Sequence, residues 1–400
     1  SDFTLTNSVV SNNTSDNAAG IYGLSGSNVA EITNVTISGN TANRSDGGIS
    51  VSGNDHVLRN LIISDNTSLI WGGGGIGCYG SPVFYNCLIK NNTAYQYGGA
   101  FATANNPGPI FVNCTFVENT SGMVEAALHV NAGEATFINC IIWDPGTEQL
   151  RFNDTFPHTV NFVNSLVKGG IESIASMYNY SYNTINWDDA GNIDSNPLFA
   201  DSTNGDFHLS ALSPGISAGI SSTTITHNDG NWDDEPNYYD VEYTAAEDDL
   251  DGNPRPNPDG SVLDIGAYES SYGVVPHYGP VWHVDGSVEL PYGNGGPGAP
   301  FYTITQGIAA ASSGDTVSVA AGSYVETINY NGKNIAVIGA DRETTIIDGN
   351  NNGRVVTIDN AESAGTLLKG FTIQNGNAVG EFPDYSGGGI CCCTNTSPTL

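Results

Sequence analysis

Along the first 170 residues, apolar side chains fall at fixed offsets around a recurring Asn. Two places before it stand Ile32, Leu58, Phe84, Phe111, Phe137 and Phe162, and three places after it stand Ile37, Ile63, Ile89, Phe116, Ile142 and Val167. Between the apolar positions lie residues such as Thr33, Arg59 and Tyr85. This is the two-residue alternation of a half-buried strand. Each repeat therefore contributes β-strands, and helical repeats are excluded.

The first Asn recurs at Asn34, Asn60, Asn86, Asn113 and Asn139, in steps of 26, 26, 27 and 26, with a weaker copy at Asn164. A second recurs at Asn40, Asn66, Asn92 and Asn119. A fixed period of this size signals a solenoid. If each turn lies over the last at the ~4.8 Å strand spacing, equivalent side chains form columns. Both Asn sets are then predicted to be amide ladders, satisfying polar groups that would otherwise cost roughly 1 to 3 kcal/mol each. Cys87, Cys114 and Cys140 directly follow ladder Asn residues and are expected inside as free thiols, because the ~4.8 Å strand spacing exceeds the ~3.8 Å that bridged Cβ atoms require. Glycine stops at 18–21, 47–49, 72–76 and 98–100 mark another corner, where Gly is expected to supply left-handed backbone. The pattern resembles the right-handed β-helix proteins of the pectin-lyase-like superfamily. That resemblance implies an all-β solenoid, and a range of functions from polysaccharide lyases and hydrolases to adhesins and non-catalytic surface proteins.

At Val281 the text changes. Pro300, then Ile304 and Ile308 four apart, then Gly314, predict one short helix, which resembles the cap that opens such solenoids; "GDTVSVAAGSY" and "GKNIAVIG" read as the first coils after it. Three parts are expected: coils over 1–170, an acidic terminating module over 171–280, and a cap with fresh coils over 281–400. Placing Leu400 before Ser1 gives "SPTLSDFTL", which aligns without a gap on the internal "SPVFYNCLI". Ser397, Pro398 and Leu400 with Ser1, Asp2, Phe3 and Leu5 thus read as a junction between units. The readings are one period of a tandem array, a chain whose last coil docks onto the first coil of the next molecule, or a fragment.

Between Asp229 and Glu269 lie 13 acids and one base, Arg255. Its guanidinium is expected to pair with Asp264 or Glu269 and fasten the segment. Calcium held by Asp249, Asp251 and Asp259 is the alternative, although the spacing is not that of an EF-hand. The stretches 196–219 and 249–269 resemble the choice-of-anchor segment that follows β-helices in secreted bacterial proteins; Ser217 stands where that family carries Asp. Aromatic residues near Tyr178, Tyr180 and Trp187 are the candidates for glycan contact. Cys391, Cys392 and Cys393 alternate faces if extended, so the three cannot converge on one metal.

The formal charge is −32, from 42 acids and 10 Lys plus Arg. Such a surface repels nucleic acid and anionic membranes, and no apolar run reaches the ~20 residues that span a bilayer. The bases form no stacked cluster of the kind that uronate lyases use, and no carboxylate pair of glycosidase type stands out. The chain reads as a secreted or cell-surface bacterial protein without its own catalysis and without a cofactor, a repeating unit of a β-helical rod joined end to end. The alternatives are a carbohydrate-binding adhesin and a polysaccharide lyase or hydrolase.

Overall fold

The computed structural model of the protein describes residues 3–25, 29–54, 56–105, 108–123, 126–152, 158–176, 183–228, 238–273, 275, 277, 279–288, 293–379, 386–392 and 396–399. The chain forms two compact units, Ser1–Gly273 and Val274–Leu400.

The first unit is a right-handed parallel β-helix. Its longest sheet stacks the strands Phe3–Ser11, Ala30–Ser38 and Val57–Ser64, and continues as paired short strands that begin with Val83–Tyr85 and Leu88–Lys90. One inward column runs Leu5, Ile32, Leu58, Phe84, Phe111, Phe137, Phe162 and Trp187. Its Phe rings stack at centroid distances of 4.9, 5.4 and 5.1 Å with planes within 20°, because the strand spacing matches the preferred separation of offset aromatic rings. Burying each such side chain contributes roughly 1.5 to 3 kcal/mol. Trp187 ends this column half-buried, 5.5 Å from Phe162, and also lines a surface cleft with Ile185 and Asn186; Tyr178 and Tyr180 lie outside the described residues.

The two Asn sets have different reasons. Asn34, Asn60, Asn86, Asn113 and Asn139 all have φ between 51 and 57°, a left-handed bend that Asn tolerates better than other side-chain-bearing residues. Their amides form a ladder only through Asn86: Asn34 donates to Asn7, Asn60 to Asn34 and Asn86 to Asn60. From Asn113 onward the expected column is replaced by bonds to distant carbonyls. The second set is buried and continuous. The backbone N and Nδ2 of Asn40 both donate to Asn66 Oδ1 at 3.0 and 2.9 Å, and the same pair of bonds repeats from Asn66 to Asn92 and from Asn92 to Asn119. Asn119 hands its pair to Asp144 Oδ1 at 2.7 and 3.0 Å, so an acceptor ends a ladder whose donors all point one way.

The glycine corner works differently from the expectation. Of Gly47, Gly48 and Gly72 to Gly75, only Gly72 has positive φ. A Cβ on Gly48 would meet Gly75 O at 2.4 Å, and one on Gly74 would meet Gly99 O at 2.4 Å. Close approach of successive backbones, not backbone handedness, demands glycine there.

The coils pass the expected limit at 170. Ile174–Ser176 pairs with Leu150–Phe152, and Thr184–Trp187 pairs with His158–Val163. The chain then folds back along the flank of the coils. Asn164 donates to Ala218 O, Asn139 to Ile220 O, Asn113 to Asp264 O and Asn86 to Asp248 O. Two antiparallel hairpins, Phe199–Asp201 with Asp206–Leu209 and Ser222–Asn228 with Tyr238–Thr244, belong to this flank module. It covers outward-facing side chains: Ile225 and Tyr243 pack on Ile110, Val112 and Ile138, while Leu209 and Ile265 pack on Ile141 and Leu166. The outward column reads Thr6, Thr33, Arg59, Tyr85, Val112, Ile138, Val163. It turns apolar where the cover begins, and Arg59 sits 4.0 Å over the Tyr85 ring at that edge.

The second unit stacks Val281–Val284, Thr316–Val319, Ala336–Gly339 and Leu367–Lys369 in parallel, with two further sheets completing its coils. The helix spans Ile304–Ala310, capped by the reciprocal Thr303 and Gln306 bonds. Glu326 accepts from Ile304 N and Thr305 N at 2.8 and 2.9 Å, placing a carboxylate where helix N–H groups are otherwise unpaired. Ile304 and Ile308 enter the core beside Val284 and Val317. Of the junction residues, Ser1, Asp2 and Leu400 lie outside the described residues. Phe3 and Leu5 lie in the first strand, Ser397 N donates to Glu362 O, and Pro398 precedes Thr399, which pairs with Leu367.

Candidate functional site

The acidic cluster is a fastening. Arg255 pairs with Glu269 at 2.7 Å with both side chains fully buried, and its other guanidinium bonds go to the carbonyls of Asp264 and Gly266. The Asp264 carboxylate instead accepts from Ser217 N and Ser270 N, each at 2.8 Å. Asp249 is buried and accepts from Asp251 N, Asn253 N, Asn253 Nδ2 and Glu269 N. Four N–H donors thus occupy the oxygens that a cation would need. Asp251 points to His208 Nε2 at 2.9 Å, and Asp259 is exposed. Among the described residues no group of three or more His, Cys, Asp and Glu is arranged to hold a metal. Cys78, Cys87, Cys114 and Cys140 are buried free thiols and Cys392 is an exposed one, whereas Cys391 is disulfide-bonded; Cys393 lies outside the described residues.

A different feature carries binding chemistry. Where the glycine corner removes side chains, a cleft opens that is lined by Trp71, Tyr79, Tyr97, Arg44, Asn17 and Asn131. The coil stack positions each one. Trp71 N donates to Arg44 O at 2.8 Å, which sets the indole one coil beyond Arg44, and 57% of Trp71 stays exposed. Tyr97 lies stacked on His129, with ring centroids 4.8 Å apart. His129 is buried, and burial, then His158 and Arg151, pull its pKa down to about 4; the ring is neutral near pH 7. Burial, and then Asp46, push Tyr79 up to about 12, so it offers a neutral hydroxyl.

A cleft lined by three aromatic side chains together with amide and guanidinium groups suits a ligand that has apolar faces and hydroxyl edges. Sequence reasoning passed over this cleft. Its signal was the recurrence of Trp71 and Tyr97 one period apart beside the Gly stops.

The fold and this cleft define a right-handed parallel β-helix with an aromatic surface site. Residues 1–190, somewhat less than half of the chain, match the family described as the right handed beta helix region. Among solved structures, a mutant form of the PL6 family alginate lyase AlyGC aligns over 90% of this chain and 67% of its own, at 10% identity and a TM-score of 0.17. At that score the likeness carries no argument about the site. The comparison with curated proteins gives no match.

Proposed function

We propose that the first unit binds an extended, uncharged polysaccharide at the Trp71–Tyr79–Tyr97 cleft, as a non-catalytic protein of the cell exterior. The observation that carries this reading is the largely exposed Trp71 lining one cleft with Tyr79 and Tyr97. A charge of −32 with one Arg on the cleft disfavours polyuronates and other polyanions. The described lining residues include no carboxylate, whereas glycoside hydrolysis takes a pair. No helix among the described residues is long and apolar enough to cross a membrane, which is compatible with an exported protein. Calorimetric titration against neutral glucans, xylans and mannans tests the reading. At least one should bind, and Trp71→Ala should weaken it about tenfold or more, the loss of roughly 1.4 kcal/mol of ring contact. Affinity unchanged in that variant, or a bare glycan panel, would remove the proposal.

End-to-end self-association is a second proposal. It is supported by Thr399, which pairs in parallel register with Leu367 and continues the coil stack of the second unit. Sedimentation velocity should show mass rising with concentration; one fixed monomer mass up to high concentration speaks against it.

A further inference from the structure

Beneath the cleft, Asp46 occupies a niche that only glycine neighbours permit. A Cβ on Gly77 would lie 1.8 to 2.0 Å from its carboxyl atoms, and one on Gly72 would lie 2.4 Å from Oδ1. Asp46 is fully buried. Its Oδ1 accepts from Gly73 N at 3.2 Å and stands 3.5 Å from the Tyr79 hydroxyl, while Oδ2 makes no hydrogen bond.

These contacts converge on the cleft walls. Gly72 and Gly73 directly follow Trp71 and have no side chains to pack, and Gly72 sits at φ 82°. The bond from Gly73 N to Asp46 is the one side-chain carboxylate contact on the backbone that carries the indole, and it acts together with Trp71 N to Arg44 O, Ser68 Oγ to Trp71 O and Gly47 N to Gly73 O. Tyr79, another lining residue of the cleft, meets the same oxygen at 3.5 Å.

We propose that Asp46 is the positioning residue of the cleft, holding the Trp71 and Tyr79 walls in their binding geometry through one buried carboxylate, so that ligand affinity follows the charge on that group. The ligand half of this statement rests on the polysaccharide reading above; the positioning half does not. An ionised carboxylate binds N–H and O–H donors about twice as strongly as a neutral acid. Burial pushes Asp46 up to about 6, against the nearby Ser50, the Gly73 N–H, Ser45 and Tyr79. The groups facing it are Ser45 and Ser50 on its own coil, and Gly73, Cys78 and Tyr79 on the next. Below that pH the carboxyl is neutral and both walls loosen; above it they are held.

The test reads Trp71 directly. The fluorescence difference between the wild type and Trp71→Phe, followed from pH 4.5 to 8, should titrate with a midpoint near 6, and the same difference measured on an Asp46→Asn background should be flat. Tyr79→Phe removes a donor and should move the midpoint upward, which keeps the test open if Asp46→Asn does not fold. In parallel, affinity for mixed-linkage β-glucan and for galactomannan should fall severalfold between pH 7.5 and 5 in the wild type and hold level in Asp46→Asn. A flat wild-type Trp71 signal, or an unchanged titration in Asp46→Asn, overturns the positioning role. Glycans that never bind while Trp71 still titrates overturn the polysaccharide reading and leave the positioning role standing.

Discussion

Arg255→Ala is expected to destabilise the first unit by about 3 to 5 kcal/mol, the usual penalty for leaving one member of a buried ion pair alone. The Arg255 guanidinium ties Glu269, Asp264 and Gly266 together with no side-chain exposure, so its loss strands the Glu269 carboxylate inside the flank module. Burial already pushes Glu269 up to about 7, against the pull of Arg255. A carboxyl whose folded pKa exceeds its unfolded value contributes stability that is complete below about 4.5 and is lost as pH rises through about 7. The penalty of Arg255→Ala should therefore be larger at pH 8 than at pH 5. Urea unfolding at the two pH values checks this, with limited proteolysis between 196 and 269 reporting whether the module has come loose. The double variant Arg255→Met with Glu269→Leu should recover most of the loss, since an apolar pair carries no stranded charge. A double variant as unstable as the single one would show that the module is fastened by something else.

Asp144→Asn is expected to raise stability at pH 8 and to do nothing at pH 4. Asp144 ends the buried Asn ladder as an acceptor for Asn119 N and Nδ2, a role that an amide oxygen fills equally well. The carboxylate is fully buried, and burial pushes it up to about 7 in spite of the two Asn119 bonds and Lys168. The sign follows from the raised value. The proton is held more tightly in the folded state, so the favourable contribution is complete below the ordinary 3.8 and disappears as pH climbs through about 7. A gap of about 3 units corresponds to at most about 4 kcal/mol above pH 8, and Asn removes that burden. Thermal melts of both proteins from pH 4 to 8 should diverge progressively with rising pH. A less stable Asp144→Asn at pH 8 would mean that the charge itself, through Lys168, is what the ladder end requires.

The coils were legible because their partners recur at one sequence distance. Ile32 meets Leu58 and Phe111 meets Phe137 in register, and a period of 26 or 27 residues announces such pairs in the text itself. The helix Ile304–Ala310 was legible for the same local reason, since its cap, its two Ile residues and the Gly that follows it lie within a few turns. The role of the glycine stops was misread. Their position was plain, but whether a glycine serves backbone handedness or the approach of the next coil depends on an atom one period away.

The flank module and the cleft were not legible in that way. Asn139 meets Ile220 across 81 residues and Asn113 meets Asp264 across 151, distances that no repeat predicts. The one sequence trace of the module is the outward column turning from Thr33 and Arg59 to Val112 and Ile138, where exposed polar residues were expected. Arg255 was recognisable as a lone base among acids, yet the choice of Glu269 over the Asp264 carboxylate follows from how the two loops close.

By itself, then, the order of residues determined the solenoid, its period, its inward columns and its amide ladder, because those arise from neighbours one coil apart whose identities repeat. Only the tertiary structure decided that the acidic segment lies along the coils and that Trp71, Tyr79 and Tyr97 share one cleft above Asp46. Those outcomes depend on which surfaces meet after the coils have stacked; the one-period step from Trp71 to Tyr97 marks two of the rings, and nothing periodic marks Tyr79, Asp46 or the flank contacts.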